Sequence, residues 1–105
     1  MPKVFVDGRN VQRSQWPNLS DEELLKRCRA WAERHGHELV LVFDGEAPAG
    51  AIGSGSESAD DWLIREVPKH PGAWLVTSDR ALRDAAASET DRIIGGGTFL
   101  VELRN

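Results

Sequence analysis

An α/β fold built on a mainly parallel sheet flanked by helices is what this sequence predicts, on three observations. Short continuous apolar runs occur at Val4-Phe5-Val6, Leu41-Val42-Phe43 and Trp74-Leu75-Val76, each bounded by turn signals. Such runs read as strands buried on both faces, the condition of a parallel sheet. Segments with helical apolar spacing separate them, so strands and helices alternate along the chain. Connections of this kind are right-handed with few exceptions. At 105 residues the chain reads as one domain, residues 1–105, without a repeat.

The first strand spans Lys3–Asp7, and residues 8–19 read as a polar loop carrying Trp16-Pro17. Ser20 and Glu23 make a capping box that opens a helix, with Leu19 and Leu24 as a hydrophobic staple. Leu24, Cys28, Trp31 and Ala32 share its apolar face, and Gly36 stands at its C-terminal cap. Glu38–Phe43 is the second strand. Residues 45–56 are rich in Gly, Ala, Ser and Pro; so long a loop in a small domain suggests a mobile functional segment. Ser58 and Asp61 cap a second helix over residues 58–67, with Ala59, Trp62, Leu63 and Val67 inward. Pro68 and Pro71-Gly72 end it. Residues 73–77 are the third strand. Ser78 or Asp79 caps a third helix reaching Ala87, with Leu82, Ala85 and Ala86 inward. Residues 92–94 form a short fourth strand. Residues 98–103 fit a strand by β-branched content or a helix capped by Thr98; the helix is preferred, with Phe99, Leu100 and Leu103 on one side.

The formal net charge is −4, which excludes the global basic footprint of a simple nucleic-acid binder. It does not exclude an enzyme whose acidic centre is offset by bound cations. The single cysteine, Cys28, rules out an internal disulfide and reads as a small core residue. Met1-Pro2-Lys3 leads directly into a strand, with neither signal peptide nor membrane span, which points to the cytoplasm.

The chemistry lies in the acids. Asp7 and Asp44 end apolar runs and are each followed by Gly, Asp79 follows a third run, and Asp60-Asp61 opens a helix. In an open parallel sheet the carboxyl ends of the strands share one edge, where ligands bind. Carboxylates gathered there repel one another and resist burial, so a cation among them is expected. Each has a plainer reading. Asp7 and Asp44 suit turns, Asp60 and Asp61 suit a first helical turn, and Asp79 suits an N-cap. Their joint placement favours a metal site and, from it, phosphate chemistry.

Val6-Asp7-Gly8-Arg9-Asn10-Val11, Ala59-Asp60-Asp61-Trp62-Leu63 and Thr77-Ser78-Asp79-Arg80, in that order across nearly the whole chain, resemble the NYN domains. These are PIN-like ribonucleases, and the YacP-like branch is the most similar. The resemblance implies a PIN-like three-layer sandwich and a divalent-metal-dependent endonuclease that cleaves RNA. It matches Asp7, Asp60, Asp61 and Asp79 to the family's acidic site and Asn10 to its characteristic asparagine. Asp44 closes the second strand in a similar place. Arg9 departs from the pattern, standing where the family often has Tyr, Ser or another small or aromatic residue. RNA, in a ribosome or other RNA–protein context, is the implied partner; the preference over DNA comes from the resemblance alone.

Magnesium or manganese suits such a site, because both prefer carboxylate and water oxygens. A metal there generates hydroxide near neutral pH and neutralises charge on the phosphate. Asp7, Asp60 and Asp79 are the expected ligands, direct or through water, with Asp61 as a second ligand or water-orienting group. Asn10 and Ser78 are expected behind them, and the role of Asp44 stays open. Arg9, Arg13, Arg80 and Arg83 are candidates for holding flanking phosphates, or are solvated surface residues. Trp16 suits stacking on a base or packing against the first helix. Trp31, Trp62 and Trp74 fit core positions, while His35, His37 and His70 share no ligand spacing and are expected at the surface. The competing reading is a non-catalytic RNA- or protein-binding module of the same fold. A phosphoacceptor receiver wants an acidic pair at the first strand and a late lysine, yet Asp7 stands alone and no Lys follows Lys69. A haloacid-dehalogenase-like phosphatase wants an Asp where Arg9 stands.

Overall fold

The computed structural model describes residues 2–104. Its strands are β1 (Lys3–Asp7), β2 (Glu38–Phe43), β3 (Ile52–Gly53), β4 (Ala73–Val76) and β5 (Thr90–Ile94). They form one sheet in the order β3-β2-β1-β4-β5, and every pairing is parallel. Successive side chains of a strand point to opposite faces, so β1 divides the core in two. Val4 and Val6 pack with Val11, Leu24, Cys28, Trp31 and Phe99, carried by α1 (Gly8–Arg13), α2 (Asp21–His35) and α5 (Gly96–Leu103). Phe5 packs with Ala59, Leu63, Leu82 and Ala86, carried by α3 (Ala59–Glu66) and α4 (Arg80–Ala86). The result is a three-layer α/β/α sandwich around a parallel sheet, as the apolar runs and the resemblance implied.

The caps form where the sequence placed them. Ser20 Oγ accepts from the Glu23 amide at 3.1 Å, and Ser58 Oγ accepts from the Asp61 amide at 3.0 Å. Gly36 ends α2 at φ 70°, a conformation that favours glycine. Cys28 is fully buried, and burial pushes its thiol up to about 12, which leaves it inert at neutral pH.

Several expectations change. Residues 8–13 are helix α1 rather than loop, and the helix begins directly on the residue after Asp7. Its apolar period is weak; burial of Val11 and Gln12 against the rest of the fold holds it in place. Gly8 serves this entry through close approach, not through an unusual φ. A Cβ there would lie 2.7 Å from the Phe43 ring and 2.9 Å from the Val42 carbonyl oxygen. The segment 45–56, expected to be mobile, is pinned to β2. Ile52-Gly53 adds an edge strand, and the Ser54 amide donates to Phe43 O at 2.9 Å. Ser54 Oγ also accepts from the Gly45 amide and donates to Glu57 O.

α3 stops at Glu66, and Val67 continues into a 3-10 turn while staying buried. Ala85 is exposed, and Trp62 and Trp74 are half-buried at the rim of the core. The fourth strand of the sequence reading begins at Thr90, and α5 begins at Gly96, two residues before Thr98. Trp16 is 87% exposed, not packed on α2. His37 is half-buried between Trp31 and Trp74, with ring centroids at 5.0 and 4.6 Å, and His70 lies 5.5 Å from Phe5. Among the described residues no helix is long and apolar enough to cross a membrane.

Gly8→Ala should therefore lower stability by about 1–3 kcal/mol, because overpacking against backbone outweighs the gain in helix propensity. Gly97→Ala, in α5 with no atom within 4 Å of the new Cβ, should instead stabilise by about 0.5–1 kcal/mol. Urea unfolding of both variants checks the pair; a neutral Gly8→Ala contradicts the tight seating of α1.

Candidate active site

The sheet order reverses direction at β1, which has β2 on one side and β4 on the other. Beyond the carboxyl ends at such a switch point lies the crevice where ligands of open α/β sheets bind. Val6 pairs with Val76, so the next residues, Asp7 and Thr77, meet at that edge. Asp7 is 4% exposed and Thr77 is fully buried. The Thr77 hydroxyl donates to Asp7 Oδ2 at 3.1 Å and accepts from the Asp79 amide at 3.1 Å. Asp79 Oδ1 accepts from the Leu82 amide at 2.9 Å and so caps α4. One hydroxyl thus ties the end of β1 to the loop that carries Asp79. The sequence reading missed Thr77 as a site residue; its signal was a hydroxyl closing an apolar run directly before Ser78-Asp79.

From the other side, Asp44 Oδ1 accepts from the Ala59 amide at 2.8 Å and draws the start of α3 to the end of β2. This places Asp60, half-buried, in the first turn of α3 at the same edge, with Asp61 exposed beside it. The charges act on one another. Burial, and then the charges of Asp60 and Asp44, push the Asp7 carboxyl up to about 6, against the pull of the Thr77 hydrogen bond. Burial also raises Asp60, followed by the charges of Asp79, Asp44 and Asp61, while Arg13 lowers it. Asp7, Asp44, Asp60 and Asp79 therefore share one field, which Asp61 joins from the outside.

The side chains of Asn10 and Ser78 hold backbone rather than carboxylates, while the backbone amide of Asn10 helps to lower the Asp7 carboxyl. Asn10 Oδ1 accepts from the Ser78 amide at 2.8 Å, and Ser78 Oγ accepts from the Gly96 amide at 2.8 Å. Together they fix the β4–α4 loop against α1 and α5. Arg9 does not face the crevice as a free phosphate holder. Its guanidinium donates to Asp21 Oδ1 at 2.7 Å and to Gln12 Oε1 at 2.9 Å, and lies 5.0 Å from the Phe43 ring centre. The buried Gln12 donates to Asp21 and to Leu19 O, closing a network between α1 and α2. Burial raises the Asp21 carboxyl, but hydrogen bonds from Gln12 and Arg9 and the Arg9 charge outweigh it and hold the carboxyl low. Arg13 stays exposed near Asp60, and Arg80 and Arg83 are exposed on α4.

The donor set fits a hard divalent cation in chemistry, since every donor is an oxygen and the buried Asp7 carboxylate lacks an opposing charge. As the side chains lie, no group of three or more His, Cys, Asp or Glu among the described residues stands close enough to hold a metal ion. Magnesium sites on phosphate enzymes keep several waters and take one or two carboxylates, so an open arrangement is compatible with that ion.

The Asp7 carboxyl gives a pH dependence with a definite sign. Its folded value of about 6 lies above the ordinary 3.8, so its contribution to stability is fully present below about 3.8 and is lost as pH rises through about 6. The loss is on the order of 2–3 kcal/mol. In EDTA the melting temperature should rise as pH falls from about 7 to 5. Asp7→Asn keeps an acceptor for Thr77 without the charge; it should exceed the wild type near pH 7 and converge with it near pH 4. A stability difference between Asp7→Asn and wild type that does not shrink as pH falls over this range contradicts a buried, repelled carboxyl.

No family model and no curated protein sequence matches the chain. The fold is similar to the crystal structure of Rae1 (YacP) from Bacillus subtilis, with a TM-score of 0.79 at 19% identity over 99% of this chain and 76% of that one. The chain therefore has a YacP-like α/β fold, the branch that its three acidic motifs resemble.

Proposed function

We propose that this domain is a divalent-metal-dependent ribonuclease that hydrolyses RNA phosphodiesters at the carboxyl edge of its sheet. The observation that carries this reading is the meeting of Asp7, Asp44, Asp60 and Asp79 in one field at the switch point. Uncompensated carboxylates are costly unless a cation joins them. Magnesium or manganese would be held by Asp7, Asp60 and Asp79, directly or through water, with Asp61 and Asp44 at the margin. Bound there, such an ion would offset charge on the phosphate and lower the pKa of a water. The chain's own part is positioning. Thr77 orients Asp7 and the backbone of Asp79, while Asn10 and Ser78 hold the loop between them. Arg13 offsets negative charge beside Asp60. RNA as substrate, in a ribosome or other RNA–protein setting in the cytoplasm, follows from the NYN-like motifs, and the YacP-like fold supports the same direction.

A non-catalytic binding module of the same fold is favoured by one observation: among the described residues no three ligand side chains already stand in ligating range. Labelled single-stranded RNA and DNA incubated with manganese, magnesium or EDTA separates the two. The wild type should cut RNA only with metal. Asp7→Asn and Asp79→Asn should each reduce cleavage roughly a hundredfold, and both should fold, since Asn at position 7 keeps an acceptor for the Thr77 hydroxyl and Asn at position 79 still caps α4. Folded wild type that leaves RNA intact with either metal assigns the chain to the binding module.

A further inference from the structure

Arg80 and Arg83 lie one turn apart on α4, both exposed, and make no ion pair or hydrogen bond among the described residues. With Ser78, Asp84, Ala87 and Ile93 they line a groove of about 390 Å³. Ser78 belongs to both the groove and the acidic edge. It precedes Asp79, its amide is bound by Asn10, and its hydroxyl accepts from Gly96. We propose that this groove seats one nucleotide of single-stranded RNA next to the scissile bond. Arg80 and Arg83 hold its phosphate, and its sugar and base lie on Ala87 and Ile93. The proposal rests on the ribonuclease reading and adds to it the direction in which the strand leaves the acids.

Charge supports it. A chain of net charge −4 repels RNA as a whole, so binding needs a local cationic surface. Arg9 faces Asp21, Arg65 faces Glu57 and Glu66, and Lys69 faces Glu66. Arg80 and Arg83 stay free at the edge of the site. A guanidinium fork matches phosphate oxygens in geometry. Asp84 brings the groove to a net charge of +1 (two Arg, one Asp), which matches one phosphodiester and matches a polyphosphate poorly. The volume falls at the lower end of the roughly 300–1,000 Å³ of small-ligand pockets, enough for one nucleotide rather than several.

Fluorescence anisotropy with a labelled single-stranded RNA in EDTA tests the groove without any cleavage. Arg80→Ala and Arg83→Ala should each weaken binding roughly threefold or more and lower the salt slope by about 0.7, with unchanged melting temperatures. In cleavage assays the same variants should raise KM with little change in kcat. Inorganic pyrophosphate should compete no better than ionic strength alone. Wild-type-like affinity and salt slope in both variants overturns the subsite while leaving the metal site standing. Strong competition by pyrophosphate also overturns it, as the mark of a polyphosphate site. Arginine-dependent binding without cleavage keeps the subsite and overturns the nuclease reading.

Discussion

The Thr77 hydroxyl, held between Asp7 and the Asp79 amide, is the joint on which the candidate site depends. It exists only because β1 and β4 are neighbours in register, with Val6 opposite Val76. That register is fixed from elsewhere. Val4 and Val6 must enter the core shared with α1, α2 and α5, and Phe5 the core shared with α3 and α4. A slip of one residue would turn each set to the wrong face. The apolar packing of both faces therefore decides where the carboxylates stand, although no acid takes part in it.

The same packing offsets what the site costs. Asp7 is buried beside other negative charges, a combination that destabilises the metal-free fold. Caps and networks around it work in the opposite direction. Asp44 and Ser58 satisfy amides at the start of α3, Asp79 caps α4, and Arg9, Gln12 and Asp21 bind α1 to α2. Asp44 and Asp79 belong to both sets, which is why a cap and a ligand look alike in sequence. Local agreement between propensity and fold, broken at one edge by clustered acids, is the pattern expected of a functional site.

Much of this was legible in the chain. Continuous apolar runs gave the parallel sheet, and Ser20, Ser58 and Asp79 gave helix starts that the structure keeps. Strand-end acids pointed to one edge because parallel strands must end together. Strand order was not legible, since it depends on pairings between residues 70 apart, and with it went the role of Thr77. α1 was lost because tertiary burial, not periodicity, holds it. For Arg9 the sequence leaves a phosphate holder or a solvated surface residue, because nothing local shows that Asp21, twelve residues on, takes its charge. β3 is two residues long and carries no strand signal of its own.

The central claim is that the crowded acids form a cation site, and melting temperature against manganese concentration, at constant ionic strength, tests it most directly. A site held at about a hundred times its dissociation constant adds roughly 2.7 kcal/mol. For a domain of this size that is an upward shift on the order of 10 °C or more. Asp60→Asn should lose part of this response. Asp7→Asn should lose most of it while starting from a more stable metal-free protein. A melting temperature that stays flat across the manganese titration, with both variants neutral or less stable than wild type, would show that the acids serve only as turns and caps.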